Sequence, residues 1–199
     1  MGHEELPMPE GDLLIHAGDI SGMTSIQELI SFNHWLGTLG YDKVILTAGN
    51  HDGQFDEPYL AKQLLSNATV LLDDIAEYKG FIIYGSPYTI EFGNWWFMKT
   101  REELAEHWKR IPDKSDIVIT HMPPYGILDN IIEGRKRKSI GCPALRKEIL
   151  ERVKPKLHVF GHLHLDGGKS KKIGDTTFVN AAMMDEDYRI ARRPVVIDL

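Results

Sequence analysis

Short apolar runs that end abruptly at polar residues recur along the chain. They lie at Leu13–Ala17, Val44–Thr47, Ile117–Thr120 and Leu157–Phe160, and each opens into a loop rich in glycine, aspartate or histidine. Short, continuously apolar runs of this kind are typical of buried strands. Because the loop after each strand carries reactive side chains, the pattern predicts an α/β sheet with its functional residues at one end of the strands.

Helices are predicted between these strands. Thr24 or Ser25 can cap a helix whose apolar positions between Ile26 and Leu36 recur near helical spacing. Strand, helix and strand in this order form a βαβ unit. The remaining pattern predicts helices near residues 59–65, near 101–110 and after Pro143, strands near 70–72, 81–84, 177–179 and 195–197, and a loop over 129–139.

The composition fits a single domain over residues 1–199, with 42% hydrophobic residues and a net charge of -6. This charge leaves no general basic face, so long nucleic acid is not an expected partner. The single cysteine, Cys142, rules out an internal disulfide and fits a reducing compartment. There is no apolar run of the roughly 18 to 20 residues that cross a bilayer and no signal-peptide pattern. We therefore expect a cytoplasmic protein with no membrane partner, and the oligomeric state stays open.

The loops after the four strands carry side chains that suit metal binding and proton transfer. Two metal ions that share a carboxylate need ligands mixing imidazole nitrogen with carboxylate or amide oxygen. The stretch TAGNHDG places an amide and an imidazole on consecutive residues, so the imidazole is free to donate a proton to a leaving oxygen. The candidates are Asp19, Asn50, His121, His162 and His164 as metal ligands, and His51 and Asp52 as catalytic residues.

Each candidate has an assigned role in this hypothesis. Asp19 is the natural bridge between two ions, and His164 can reach the ion that is not bound by Asn50, His121 and His162. His51 is the expected proton donor. Asp52 has two equally weighted roles, because it can orient the His51 imidazole or cap the loop that follows.

The motifs GD, GNHD, a histidine before two prolines, and GHLH occur in this order, and the chain thereby resembles the calcineurin-like metallophosphoesterase family. HAGD, FNHWLG, GSPY and KPKLHVFGHLH look most like the branch of the mammalian MPPED proteins, which is known for metal-dependent phosphodiesterase activity. The resemblance implies a four-layer αββα sandwich with two divalent transition metal ions, manganese before iron or zinc. It also implies the ligand roles given above, and a small phosphoester as substrate, with cyclic nucleotides among the diesters considered.

One family motif is absent. The family pattern begins with a strand ending in Asp-x-His, which gives the first metal two ligands, and no such triplet occurs in these residues. The favoured hypothesis is that the natural product is longer and that a central strand precedes this sequence. The alternative is a one-metal or inactive variant, in which the first site is weak or empty and His3 substitutes as a ligand.

The motifs also fit two functions besides that of a phosphodiesterase. One is a phosphomonoesterase, and the second is a non-catalytic scaffold that keeps the fold and binds protein partners, like the Vps29 subunit of retromer. The aromatic stretch Trp95–Phe97 is expected to pack in the core rather than stack on a nucleobase. The basic run Arg135–Lys138 is expected to be a solvated loop rather than a device that steers phosphate.

Overall fold

The computed structural model describes residues 3–22 and 25–199, without the side chain of Glu5. Thr24, one of the two capping candidates for the first helix, lies outside the described residues. The strands are β1 Leu13–Ala17, β2 Lys43–Thr47, β3 Thr69–Val70, β4 Asp74–Tyr78, β5 Phe81–Ser86, β6 Thr89–Ile90, β7 Met98–Lys99, β8 Ile117–Thr120, β9 Asn130–Glu133, β10 Lys136–Ser139, β11 Leu157–Phe160, β12 Lys169–Ile173 and β13 Thr176–Asn180. The α-helices are α1 Ile26–Thr38, α2 Pro58–Leu64, α3 Arg101–His107 and α4 Pro143–Lys147, and a π-helical segment, Glu148–Val153, continues α4.

Two larger sheets face each other. The first contains three strands in the order β1-β2-β3, all parallel. The second contains six strands in the order β12-β13-β11-β8-β5-β4, of which the inner four are parallel and the outer two antiparallel to their neighbours. Parallel strands bring their carboxyl ends to one edge, so the loops after β1, β2, β8 and β11 can meet.

Three apolar layers hold these elements together. Ala17 and Ile45 of the first sheet pack against Ile119 and Val159 of the second, which forms the layer between the sheets. Leu29 and other residues of α1 and α2 cover the outer face of the first sheet, while α3 and α4 cover the outer face of the second. The order is therefore helix, sheet, sheet, helix, and the predicted four-layer αββα sandwich is confirmed.

The βαβ unit around α1 forms as its sequence predicts. The Ser25 side chain accepts a hydrogen bond from the backbone N–H of Glu28, which satisfies one of the free donors at the start of α1. Leu29, Phe32 and Leu36, spaced by three or four residues, form the buried face of the helix. This packing fixes the positions of β1 and β2 and hence of the loops that follow them.

Several sequence predictions are wrong in detail. Residues 129–139 form a hairpin of β9 and β10 rather than a loop. Residues 195–197 form no strand, although Val195 and Ile197 pack against the core between the sheets. The outer strands β4 and β12 were not predicted, because both are polar and largely exposed.

Strand β1 lies at the edge of its sheet in the part of the chain that the structure describes. Beside it runs a largely apolar groove of about 600 Å³, lined by residues of both sheets and by 194–199. His3 packs its ring against Phe32 and Trp35 of α1, so it does not join the ligand cluster described below. The expectation that a further strand precedes β1 stays a prediction.

Candidate metal centre

The loops after β1, β8 and β11 bring three potential metal ligands together. One ligand atom each of Asp19, His121 and His162 lies within 4.8 Å of the other two. The Asn50 Oδ1 atom, from the loop after β2, lies 2.9 Å from His121 Nε2. Four of the five predicted ligands are thus neighbours, although they are spread over more than 140 residues of sequence.

Hydrogen bonds orient these ligands. His121 Nδ1–H donates to the Ala17 carbonyl at 2.8 Å, so Nε2 is the ring nitrogen that faces Asp19 and Asn50 and is placed to bind a metal. A backbone carbonyl that fixes the tautomer of a histidine in this way is usual at metal sites. Asp19 and His162 both have positive φ, 59° and 64°, a strained conformation for non-glycine residues that is concentrated at functional sites.

The electrostatics of the cluster favour a cation. Burial alone would raise the pKa of the Asp19 carboxyl, but the His121 and His162 imidazoles and the His51 backbone N–H together outweigh burial and lower it, so Asp19 is anionic. Burial alone would lower the pKa of His121, but Asp19, 3.2 Å away, raises it. Burial and the neighbouring His121 lower the pKa of His162 to about 3, so that imidazole is neutral and one of its two ring nitrogens has a lone pair for a metal. A carboxylate, an amide oxygen and imidazole nitrogens form a donor set that fits manganese, iron or zinc.

His164 lies outside this group of ligand atoms but lines the same cavity as Asp19 and His162. Its Nδ1–H donates to the Asp185 carbonyl at 2.8 Å, which leaves Nε2 free. The contact with residue 185 was not foreseen from the sequence, because Asp185 lies in a turn 21 residues further along the chain.

His51 also enters the cluster through its backbone and its ring. Its N–H donates to Asp19 Oδ1 at 3.0 Å, and its Nδ1–H donates to the Gly22 carbonyl at 2.8 Å. This bond leaves Nε2 as the ring atom available to a bound molecule. The indole of Trp95 packs on the imidazole with 4.4 Å between ring centres.

Asp52 is fully buried and holds the loops together. Its carboxylate accepts hydrogen bonds from the backbone N–H groups of Ile20, Ser21 and Gly49. Burial and the nearby Asp19 raise the pKa of Asp52 to about 6. The His51 ring bonds to Gly22 instead, and among the described residues the Asp52 side chain makes no capping hydrogen bond to the turn that follows it. Its contacts therefore match neither expected role, and they join its own loop to the loop after β1.

An open cavity of about 400 Å³ lies over the cluster. Its walls are largely apolar, and none of its lining residues in the described ranges 3–22 and 25–199 is lysine or arginine. The expectation that Trp95 and Trp96 pack in the core is wrong, since 36% and 38% of their surfaces are exposed. The lining residues are Asp19, Asn50, His51, Phe92, Trp95, Ile131, Ile132, His162, Leu163, His164, Leu165, Glu186 and Tyr188.

Comparisons with known proteins identify the family of the chain. A model of the calcineurin-like phosphoesterase family matches residues 3–166. Metallophosphoesterase domain-containing protein 1 of Homo sapiens is 38% identical over 98% of this chain and 67% of its own length. A UPF0046 protein of Caenorhabditis elegans is 37% identical over 99% of this chain and 76% of its own length. The chain thus spans about two thirds to three quarters of these relatives.

A solved structure shares the fold. It superposes with a TM-score of 0.59 at 22% sequence identity, covering 79% of this chain and 63% of that chain. Among the described residues, no helix is both long and apolar enough to cross a membrane.

Proposed function

The chain belongs to the calcineurin-like phosphoesterase family and is a metal-dependent phosphoesterase, and from this premise we propose that it hydrolyses phosphodiesters with His51 as the proton donor. The observation that carries the proposal is the cluster of Asp19, His121 and His162, whose ligand atoms lie within 4.8 Å of one another beneath an open cavity. Linear diesters and cyclic nucleotides both belong to the proposed substrate class.

The proposed metal ligands divide into two sets. Asn50, His121 and His162 would hold one ion, His164 would contribute to the other, and Asp19 would be a ligand of both. Divalent ions, manganese first, supply a water of lowered pKa and neutralise charge on the phosphoryl oxygens when bound. The Nδ1–H bonds of His121 and His164 to backbone carbonyls support their assignment, because Nε2 is then the ring nitrogen left to bind a metal in each residue.

A residue of the protein then protonates the leaving group. The water gives up one proton to bulk solvent and its oxygen bonds to phosphorus, while the bond from phosphorus to the leaving oxygen breaks. His51 Nε2–H gives its proton to that oxygen, and the leaving group departs as an alcohol. His51 is held for this role by its bonds to Gly22 and Asp19. Asp52 positions the Gly49 and Ser21 backbone and so acts through the loops rather than on the substrate.

The charge of the cavity supports diesters over monoesters. A diester carries one negative charge, whereas a monoester near neutral pH carries close to two. Glu186 is the acidic residue at the exposed rim, and none of the described lining residues is a lysine or arginine that can pair with an additional phosphate charge. Like charges repel, so the rim penalises the monoester more than the diester.

The first test is manganese-dependent hydrolysis of bis(p-nitrophenyl) phosphate. We expect wild-type protein to turn over and His121→Ala to lose at least about 100-fold in kcat/KM, because it removes a ligand. Manganese is expected to raise the melting temperature of wild-type protein by about 5 to 10 °C at 100 times its Kd, and not that of the variant. His34→Ala, on the exposed face of α1, is the matched control. If wild-type protein neither binds metal nor turns over, the enzymatic proposal fails and the scaffold hypothesis replaces it.

The second test concerns substrate charge. Glu186→Gln is expected to raise kcat/KM for p-nitrophenyl phosphate about fivefold relative to bis(p-nitrophenyl) phosphate, since it removes one repulsive charge at the rim. Glu151→Gln, on the exposed surface of the π-helical segment, is the control. Wild-type protein that prefers the monoester would instead establish a phosphomonoesterase.

A further inference from the structure

Exposed aromatic side chains surround the metal centre, and each packs on a different histidine. Trp95 contacts His51 with ring centres 4.4 Å apart, and Tyr188 contacts His164 with ring centres 5.3 Å apart. Both side chains line the cavity over the cluster. Trp95 is 36% exposed and Tyr188 is 66% exposed, so neither ring is fully covered by the protein itself. Exposed apolar surface beside a polar centre marks a binding site.

The backbone holds Trp95 in place. The Trp96 N–H donates to the Asn50 carbonyl at 3.3 Å, which ties residues 95–96 to the loop that carries His51. The Trp96 indole lies directly over Gly53 of the same loop, so closely that any side chain at Gly53 would collide with it. Residues 95–96 are therefore anchored to the loop that carries His51.

The position of Tyr188 is also fixed. The turn 185–189 closes through a hydrogen bond from Asp185 N–H to the Arg189 carbonyl at 2.9 Å, and Asp185 Oδ1 accepts from the N–H groups of Asp187 and Arg189. Tyr188 has a φ of 59°, which is rare for an aromatic residue. The turn is joined to the centre by the bond from His164 Nδ1–H to the Asp185 carbonyl.

His51 indicates which part of a substrate meets Trp95. On the proposed function, on which this step rests, the leaving oxygen lies within hydrogen-bond distance of His51 Nε2. A group attached to that oxygen then extends past the edge of the His51 ring, toward the Trp95 indole that packs on this ring. The second ester group of a diester must leave along another wall, and the wall at His164 offers the Tyr188 ring.

We infer that Trp95 and Tyr188 form two aromatic subsites that sort the ester groups of a linear phosphodiester, with a planar leaving group on Trp95 and a planar retained group on Tyr188. Aromatic faces stack on any nucleobase or aryl ring without reading its edges. The substrate class is therefore a linear diester with two separate planar groups. A cyclic nucleotide has one such group and fills one subsite.

Two substrates with the same leaving group separate the two subsites. Bis(p-nitrophenyl) phosphate and methyl p-nitrophenyl phosphate both release p-nitrophenol, but the retained group is aromatic in the first and a methyl group in the second. Trp95→Ala is expected to raise KM about tenfold for both substrates, because each substrate loses one stacking contact with an aromatic ring. Tyr188→Ala is expected to raise KM about tenfold for the first substrate and less than about twofold for the second.

Conservative variants and a control substitution away from the cavity complete this experiment. Trp95→Phe and Tyr188→Phe are expected to restore most of the wild-type KM, because they keep an aromatic face. Tyr59→Ala removes a 75% exposed aromatic residue of α2 that does not line the cavity, and it is expected to leave both KM values unchanged. The inference is overturned if wild-type protein turns over and Tyr188→Ala changes KM equally for the two substrates, or if Trp95→Ala leaves either KM unchanged.

A binding measurement separates this inference from the proposed function. If wild-type protein hydrolyses neither diester, the proposed function fails. The Trp95 subsite is then decided by titrating p-nitrophenol and following the indole N–H signal that disappears in Trp95→Phe. A shift of that signal supports the stacking face, and an unchanged signal removes it.

Discussion

Gly49 shows how closely single residues are fitted around the metal centre. A Cβ atom at this position would lie 2.3 Å from Asp19 Oδ1 and 2.5 Å from His121 Cε1, distances that real Cβ atoms do not reach. The loop after β2 can therefore approach both ligands only with glycine here.

Gly49→Ala is accordingly expected to displace Asp19 and His121 and to abolish manganese binding and hydrolysis. Gly40→Ala is the matched control, because a Cβ at Gly40 would meet no atom within 4 Å. Isothermal titration with manganese measures the effect. Normal affinity in Gly49→Ala would contradict the arrangement of these loops.

For single residues, the sequence predicted which side chains belong to the candidate site better than it predicted what those side chains contact. The candidate ligands could be named because carboxylate, amide and imidazole each followed a buried strand. The hydrogen-bond partners of Asp52 could not be predicted, because the N–H groups of Ile20 and Ser21 belong to the loop after a different strand. Tyr188 and Glu186 had no signal either, since the turn that carries them reaches the cavity from more than 20 residues beyond His164.

Among the elements, the hairpin of β9 and β10 is the one that shapes the cavity without carrying a proposed ligand. Ile131 and Ile132 of β9 line the wall. Asp166, which is 3% exposed, anchors the hairpin by accepting hydrogen bonds from the backbone and side chain of Asn130 and from Arg137. The basic run is thus partly paired, as Lys138 also bonds to Glu133.

Asp166→Asn is expected to loosen this hairpin. Loss of a buried charge that accepts several hydrogen bonds costs about 1 to 3 kcal/mol of unfolding free energy. Because the Ile131 wall shifts, KM for bis(p-nitrophenyl) phosphate is also expected to rise. Urea unfolding and steady-state kinetics test both effects, with Asp175→Asn in an exposed turn as the control. An unfolding free energy equal to that of wild-type protein would show that the anchor is not needed.

The predictability of the elements depended on burial. The inner strands were predicted because they are continuous apolar runs, and α1 was predicted because its apolar residues recur at helical spacing. The β9–β10 hairpin was missed because its two isoleucines are adjacent and its second strand is a run of cations, so neither strand alternates. Its actual signal was the two-residue turn at Gly134–Arg135, where Gly134 has a φ of 63°.

At the scale of the whole molecule, stability depends on histidines that are buried without charge. His158 in β11 is fully buried, and its Nε2–H donates to Thr120 Oγ1, because the Thr120 hydroxyl donates its own proton to the Met122 carbonyl. His158 Nδ1 then has no hydrogen-bond partner among the described residues. Burial lowers the pKa of His158 to about 3.

The pH dependence of stability follows from this shift. The unfolded chain protonates this imidazole below about pH 6.5, whereas the folded protein does so only near pH 3, so acidification between these values favours unfolding. Between pH 7 and pH 5 this one group is expected to remove about 2 kcal/mol of unfolding free energy. His158→Leu should therefore lose about 2 kcal/mol less than wild-type protein over that interval in urea unfolding. An equal loss in both proteins would show that the imidazole is protonated when folded.

The left-handed backbone at Asp19 and His162 has a consequence for how this protein can evolve. Both residues are held in a conformation that glycine or asparagine adopts more easily, so this conformation lowers the unfolding free energy of the protein. The two residues are retained only where catalytic turnover is under selection. In a laboratory population selected for heat resistance alone, glycine or asparagine should replace these two residues early. The selected variants would be more thermostable, correctly folded and catalytically inactive.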